Sequence, residues 1–278
     1  IVPWQMASEQ TGAVLKVIPV LDSGELDMDA YRDLLNEKTK LVAVNHISNA
    51  LGTINPIEEM IPLAHAKGAL VLIDGAQAVP HTKVDVQVLN ADFYCFSAHK
   101  MYGPTGIGIL HGKKEILEKM PPYHGGGEMI KEVKFEGSTY NDLPFKFEGG
   151  TPNIAGGIGL EAAIRFMEEV GVENIAKQEA ELLAYATQKL KEVGGIRFVG
   201  EAKNKAGLVS FLMEGIHPYD AGTILDKLGI AIRTGHHCAQ PVMARFDITG
   251  TMRASFAVYN TKEEIDVFIA AINRVKIM

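Results

Sequence analysis

The chain has 278 residues, 47% of them hydrophobic and 22% charged, which predicts a globular protein of about two domains with a sizeable core. Its 27 basic and 34 acidic side chains give a formal net charge of −7 without a basic run, unlike the pattern of nucleic-acid-binding proteins. No apolar stretch approaches the roughly 18 residues that a membrane span needs, so we expect no membrane partner.

Short apolar runs and helical patterns alternate in the first part of the chain. The runs at 41–44, 69–73 and 93–96 are typical of parallel strands buried on both faces. From Pro56 to Gly68 apolar residues recur at three-to-four spacing, which predicts a helix and hence a βαβ unit. Residues 105–110 favour a further strand, and the Gly- and Pro-rich segment 120–150 is interpreted as a functional loop.

The second part begins with two helical patterns, at 152–169 and 172–193, which are predicted to link two domains. The remainder alternates between strands and helices, predicted at 208–213, 219–228, 230–233, 252–258 and 263–275. The pattern indicates an α/β protein with a large domain over 1–165, built on a mostly parallel sheet, and a smaller C-terminal α/β domain over 166–278.

A lysine and an aspartate follow neighbouring predicted strands. Lys100 ends the stretch SAHK at 97–100, directly after a predicted buried strand and before a Gly-rich loop. Strand ends are where α/β proteins bind ligands, and a desolvated lysine there can form a Schiff base with a carbonyl cofactor. Asp74 ends the preceding strand, where a carboxylate can keep a pyridinium nitrogen protonated. Taken singly, Lys100 as a solvated loop residue and Asp74 as a helix cap are the simpler interpretations.

Together these motifs resemble those of a known family. The pair DGAQ at 74–77 and SAHK at 97–100 is similar to the fold-type-I pyridoxal-phosphate enzymes of the class V aminotransferase group. The stretch RTGHHCAQP at 233–241, followed by RASF at 253–256, resembles the group II, or SufS-like, cysteine desulfurases, a branch that also contains selenocysteine lyases. The resemblance extends over the whole chain.

The resemblance implies pyridoxal 5′-phosphate as cofactor and a role for each matching residue. Lys100 would bind the cofactor covalently and move the Cα proton, while Asp74 would pair with the pyridinium nitrogen. Arg253 would bind the substrate carboxylate, with Arg233 nearby. The other matching residues would hold the cofactor: Gln77 and Asn49 at its ring oxygen, Asn49 also near the substrate, and Ser97, His99 and Thr151 at its phosphate. Thr151 matches a residue that reaches the opposite subunit, which implies a homodimer.

Cys238 is the expected nucleophile, accepting the sulfur of L-cysteine as a persulfide and leaving L-alanine. The flanking His236 and His237, together with Arg233, are expected to raise its thiolate fraction. Cys95 lies between Tyr94 and Phe96 in a core strand and is expected to be inert. Two distant cysteines in a chain of this size do not form a disulfide framework, which favours a reducing, cytoplasmic compartment.

Several alternatives stay open. Selenocysteine lyases share the same motif, so this activity is one alternative. A second hypothesis is that the chain is an inactive fragment that only binds a sulfur-acceptor protein. A metal site at 236–238 is disfavoured because three adjacent residues do not converge on one ion. Within the branch the resemblance implies a SufE-like or SufU-like acceptor, and Tyr219 favours the SufE-like type. The family's catalytic domain normally begins before the position of Ile1, so this chain alone is expected to bind the cofactor weakly.

Overall fold

The structure is a computed structural model that describes residues 1–277, and it forms two compact units. Unit 1 comprises Ile1–Lys40, Ser48–Ala69 and the chain from Glu179 onward, and unit 2 comprises Leu41–Ile47 and Leu70–Gln178. The predicted division into domains 1–165 and 166–278 stays a prediction. Within residues 1–277, no helix combines the length and apolarity that crossing a membrane demands.

Strands and helices alternate along the chain. The strands are β1 (Leu41–Asn45), β2 (Leu70–Asp74), β3 (Phe93–Ser97), β4 (Gly108–Gly112), β5 (Ile130–Lys134), β6 (Gly137–Tyr140), β7 (Ile196–Phe198), β8 (Leu208–Met213), β9 (Arg233–Gly235) and β10 (Thr251–Ser255). The α-helices are α1 (Val2–Thr11), α2 (Met28–Leu34), α3 (Ile57–His65), α4 (Val86–Leu89), α5 (Lys114–Leu117), α6 (Ile154–Val170), α7 (Val172–Glu192), α8 (Pro218–Lys227), α9 (Gln240–Arg245) and α10 (Lys262–Lys276). Short 3₁₀ turns cover Ala98–Lys100 and Phe145–Phe147.

Unit 2 is built on a four-stranded sheet with the order β1-β2-β3-β4. The first three strands are parallel and β4 is antiparallel to β3, so the predicted mostly parallel sheet is confirmed. The strands were expected to be buried on both faces, but Leu41 and Leu70 are 39% and 38% exposed, whereas Val71 and Ile73 are fully buried. Successive side chains of a strand point to opposite faces, so these strands bury mainly one face.

Asp92 lies just before β3 and joins β2 to Lys113, the residue that follows β4. Its side chain is buried, with one oxygen accepting the Val71 N–H at 2.7 Å and the other 2.9 Å from Lys113 Nζ. Both contacts offset the cost of burying the carboxylate. Because Val71 lies near the start of β2, Asp92 fixes the register at that end, and the carboxyl ends of β2 and β3 are left at the opposite edge.

The segment 120–150 differs from the loop that the sequence predicts. It contains the antiparallel hairpin formed by β5 and β6. All nine residues of these two strands are exposed, so the strands carry no buried apolar run by which the sequence would reveal them.

Unit 1 contains an antiparallel sheet with the order β7-β8-β10-β9. Residues of α7 beyond Glu179, α8 and α10 pack with it into one hydrophobic core, in which the rings of Phe211 and Phe268 meet edge-on at 6.2 Å. A capping box between Thr261 and Glu264 starts α10. The strand predicted at 230–233 begins only at Arg233, so the RTG residues form β9 beside β10.

Candidate active site

In unit 2, five of the predicted cofactor residues lie at or just after the carboxyl ends of β2 and β3: Asp74, Gln77, Ser97, His99 and Lys100. Asp74 is the last residue of β2 and pairs in register with Cys95, two residues before Ser97 ends β3. The chain then turns through Ala98–Lys100, which leaves His99 and Lys100 exposed. Because β2 and β3 are parallel, Asp74 and Lys100 follow strand ends at the same edge, as the motif spacing predicts.

The carboxylate of Asp74 is oriented by the turn that follows it. Its Oδ1 accepts the Ala76 N–H at 2.9 Å, and the Gly75 N–H bonds to the Cys95 carbonyl at 2.8 Å. No helix begins within this turn, so Asp74 stabilises a turn rather than capping a helix as the simpler interpretation holds. Gln77 lies in the same turn and is half-buried.

Tyr94 and His46 lie beneath this edge, and sequence reasoning missed both. A Cβ added to Gly75 would lie 2.0 Å from Tyr94 Cε1, so only glycine fits against this ring. Burial raises the pKa of Tyr94, and the Asp74 carboxylate adds to this effect. His46 Nδ1 is 3.1 Å from the Tyr94 hydroxyl, and burial lowers the pKa of His46 to about 4. Two neutral rings, the buried Tyr94 and the partly buried His46, therefore support the turn that carries Asp74.

The pKa of Cys95 is shifted by the charged groups at this edge of the sheet. Burial raises the pKa of its thiol, the Asp74 carboxylate raises it further, and the Gly75 N–H and the Lys100 ammonium oppose the shift. One thiol thus experiences the fields of both Asp74 and Lys100, which places the two charged groups in one neighbourhood. The raised pKa favours the unreactive thiol form, which supports the structural interpretation of Cys95.

The segment that carries Thr151 is tied to the loop after Lys100. Asn153 starts α6, with Oδ1 accepting the Gly156 N–H at 2.9 Å and Nδ2 donating to the Gly106 carbonyl at 3.1 Å. Thr151 is exposed two residues earlier. Its hydroxyl is therefore free to face solvent or a second molecule, from a segment fixed by Asn153.

In unit 1, Cys238 lies on the short loop after β9. The side chain is exposed, and its Sγ is 3.4 Å from Nη2 of Arg233. Reactive cysteines in proteins lie next to cationic groups of this kind. Arg233, which the resemblance places near the substrate, is thus also the charged partner of Cys238.

The sequence predicted that His237 helps to raise the thiolate fraction of Cys238, but its ring carries no positive charge near pH 7. Its side chain is 2% exposed, and its Nε2 lies 2.8 Å from Thr251 Oγ1 and 3.2 Å from the Thr251 carbonyl oxygen. Burial, followed by the positive charges of Arg253 and Arg233, lowers the pKa of His237 to about 4. The ring is therefore neutral near pH 7, while the adjacent His236 is exposed.

The backbone of this loop is unusual. His237 and Cys238 both have left-handed backbone conformations, with φ of 55° and 58°. For residues with a Cβ this costs roughly 1–2 kcal/mol each, and such conformations cluster at functional sites. Asn49 Nδ2 holds the loop by donating to the His237 carbonyl at 2.6 Å.

Arg253 lies on β10 beside the same loop. Its Nη1 donates to the Asn49 carbonyl at 2.7 Å, and among the described residues its buried Nε has no hydrogen-bond partner. Burial lowers the pKa of Arg253, and the Arg233 charge adds to this effect. A buried donor without a partner, next to a second guanidinium, is suited to an anionic ligand.

Comparison with known proteins adds independent information. Residues 1–268 match the family described as aminotransferase class-V. The chain is 52% identical over 276 residues to a probable cysteine desulfurase of Halalkalibacterium halodurans, covering 99% of this chain and 68% of that protein. It is 53% identical over 275 residues to probable cysteine desulfurase 1 of Mycobacterium leprae, covering 99% of this chain and 45% of that protein.

Solved structures agree with these sequence matches. A crystal structure of a cysteine desulfurase from Escherichia coli aligns with a TM-score of 0.96 at 40% identity, covering 99% of this chain and 69% of that chain. An apo cysteine desulfurase from Thermococcus onnurineus aligns with a TM-score of 0.95 at 42% identity, covering 100% and 70%. The chain thus spans about half to two thirds of the length of the relatives it matches.

Proposed function

The chain belongs to the aminotransferase class-V family, among its cysteine desulfurases, and we propose that it takes part in converting L-cysteine into L-alanine with pyridoxal 5′-phosphate as cofactor. The sulfur passes to Cys238 as a persulfide. The observation that carries this proposal is the exposed Cys238 thiol 3.4 Å from the Arg233 guanidinium, on a loop in left-handed conformation.

The residues of unit 2 fit this cofactor. A primary amine and a carboxylate, Lys100 and Asp74, follow neighbouring parallel strands, and the Gly75–Tyr94 packing leaves no room for a side chain at the turn between them. Asp74 would hold the pyridinium proton and Lys100 the aldehyde carbon. Further contacts would come from Gln77 at the ring oxygen and from Ser97, His99 and Thr151 at the phosphate. When bound, the cofactor withdraws electrons from the substrate and makes its Cα–H acidic.

Lys100 is proposed to take the Cα proton from the substrate and return it during formation of alanine. Lys100 is exposed and lies on the short turn after β3, so its amine can move toward the substrate Cα without a change in β3. The half-buried Arg253 is proposed to bind the substrate carboxylate, because its Nε is buried without a partner among the described residues. Arg233 shares this task and also stabilises the thiolate of Cys238.

Cys238 is proposed to attack the sulfur of the substrate. A new S–S bond forms as the substrate C–S bond breaks, the carbon fragment is protonated, and alanine leaves. A thiolate next to a guanidinium is a competent nucleophile for this step. His237 is not proposed as its base, because a ring with a pKa of about 4 binds a proton too weakly at neutral pH.

Alanine formation distinguishes this proposal from its alternatives. The full-length protein, loaded with the cofactor, is incubated with L-cysteine and in parallel with L-selenocysteine. Alanine from both substrates supports a desulfurase, and alanine from selenocysteine alone indicates a selenocysteine lyase. Absence of alanine from both would leave only a fragment that binds a sulfur acceptor, and would refute the enzymatic proposal.

We also propose that an acceptor protein removes the persulfide for iron–sulfur cluster assembly in the cytoplasm, and that the protein acts as a homodimer with Thr151 reaching the partner subunit. Tyr219 is 69% exposed at the start of α8, and it favours a SufE-like over a SufU-like acceptor. Stronger stimulation of alanine formation by the SufU-like type would contradict this preference.

A further inference from the structure

His237 and Cys238 are neighbours in the chain with opposite surroundings. The Cys238 side chain is exposed, whereas the His237 ring is 2% exposed and lies against Thr251 of β10. A carbonyl oxygen only accepts hydrogen bonds, so the tautomer with the proton on Nε2 is the one that bonds to the Thr251 carbonyl. The two contacts of Nε2 with Thr251 hold the ring in one orientation.

The backbone of His237 is held as well. Its carbonyl accepts a hydrogen bond from Asn49 Nδ2 at 2.6 Å, and the Asn49 carbonyl in turn accepts one from Arg253 Nη1 at 2.7 Å. Two residues of β10 thus anchor His237, Thr251 directly at the ring and Arg253 through Asn49. The charged and titratable groups that act on the ring are Arg253, Arg233 and His236.

These anchors coincide with an unfavourable backbone conformation. His237 and Cys238 are both left-handed, at φ of 55° and 58°, although neither is glycine. A free loop would relax out of this conformation, because Cβ crowds the following carbonyl group. Contacts made in the folded state must therefore hold it: the Ala239 N–H donates to the His236 carbonyl at 2.9 Å across this turn, and the His237 ring and carbonyl bond to Thr251 and Asn49.

We propose that His237 is the positioning residue of the nucleophile: its buried side chain holds the left-handed backbone at 237–238 and thereby keeps Cys238 Sγ beside Arg233. The role rests on the proposed function of Cys238, but its geometric part is independent of turnover. Without the anchor, the loop relaxes, Sγ leaves the guanidinium, and the sulfur loses its cationic neighbour while the side chain stays exposed.

Alkylation of Cys238 tests this proposal without substrate or cofactor. The full-length protein is treated with iodoacetamide at pH 7, and modification is mapped by mass spectrometry, with Cys95 as internal reference. We expect His237→Ala to slow alkylation of Cys238 by at least about threefold, because Sγ is no longer held beside the Arg233 guanidinium, a cationic neighbour of the kind found at reactive cysteines. His237→Asn is expected to restore part of the rate, since asparagine adopts the left-handed conformation readily.

A control separates positioning from general destabilisation. Ile272→Ala removes a fully buried side chain of α10 in the same unit and lowers stability without touching the loop. It should leave Cys238 alkylation at pH 7 unchanged. An unchanged rate in His237→Ala, or an equal loss in Ile272→Ala, would overturn the proposal. If His237→Ala does not fold, the single variants His237→Asn and Thr251→Val replace it. Cys238 alkylation at the wild-type rate in both of them would overturn the proposal. Alanine formation is measured separately, so failure of the proposed activity is distinguishable.

Discussion

Arg253 and Arg233 stand directly opposite each other on the antiparallel strands β10 and β9. Like charges at facing positions of a strand pair repel, and the Arg233 charge adds to the effect of burial in lowering the pKa of Arg253. This arrangement is unfavourable without a counterion. A substrate carboxylate between the two guanidinium groups would relieve the repulsion and satisfy the buried Nε of Arg253.

Replacement of Arg253 tests this assignment. We expect Arg253→Gln to lower kcat/KM for L-cysteine by roughly 10- to 100-fold, because charge-assisted hydrogen bonds of about 1.5–3 kcal/mol are lost. Arg253→Lys should restore little, since an ammonium cannot bind a carboxylate through two parallel bonds. Without substrate, Arg253→Gln should be no less stable to urea than the wild type. Initial rates of alanine formation are the measurement, and a kcat/KM equal to that of the wild type would contradict the assignment.

Lys100 is expected to form the covalent link to the cofactor. Borohydride reduction in the presence of pyridoxal phosphate should label the peptide that contains Lys100, and Lys100→Ala should abolish this label because no primary amine remains at the site. Lys83→Ala, which removes an exposed lysine of the same unit, is the matched control and should keep it. Peptide mapping that places the label on a different lysine would disprove the assignment.

Gly75 is expected to tolerate no side chain. A Cβ there would lie 2.0 Å from Cε1 and 2.2 Å from Cζ of the fully buried Tyr94. Gly75→Ala should therefore cost about 1–3 kcal/mol in the free energy of unfolding and weaken cofactor binding through displacement of Asp74. Gly157→Ala is the control, because its Cβ meets nothing within 4 Å in α6. Equal urea midpoints for the two variants would contradict this prediction, because they would show that the Tyr94 ring moves aside without lowering the free energy of unfolding.

Two histidines, the buried His237 and the partly buried His46, predict the acid sensitivity of the fold. Burial lowers the pKa of His46 and of His237 from 6.5 to about 4. The unfolded chain binds these protons at higher pH than the folded chain, so stability is complete above about pH 6.5 and falls as the pH approaches 4. Each histidine should contribute on the order of 3 kcal/mol to this loss. Urea unfolding at pH 7 and pH 4.5 measures it, and His46→Gln should reduce the difference. A difference as large as that of the wild type would exclude His46 as a cause.

The elements that position the cofactor residues were predictable from the sequence because their signals are local. The apolar runs of β1, β2 and β3 and the motifs DGAQ and SAHK lie within a few residues of one another, and the structure has these strands where they were predicted. The hairpin of β5 and β6 was not predictable, since its side chains are exposed and carry no apolar pattern.

The surroundings of the nucleophile depend on contacts that no local pattern encodes. Asn49 bonds to His237 across 188 positions, and the packing of Tyr94 against Gly75 depends on strand pairing. The sequence shows two histidines next to Cys238 but not that one of them is buried and neutral. The arginine beside the thiol, by contrast, was visible in the motif, although its distance from Sγ was not.

The direct test of the central claim is the fate of the sulfur atom. The full-length protein, loaded with pyridoxal phosphate, is given one equivalent of L-cysteine, and alanine is quantified while the Cys238 peptide is weighed by mass spectrometry. We predict one alanine for each Cys238 peptide that gains the mass of one sulfur atom, no alanine from Cys238→Ala, and an undiminished yield from Cys95→Ala. Alanine formed by Cys238→Ala, or sulfur found on Cys95 instead, would contradict the assignment of Cys238 as the nucleophile.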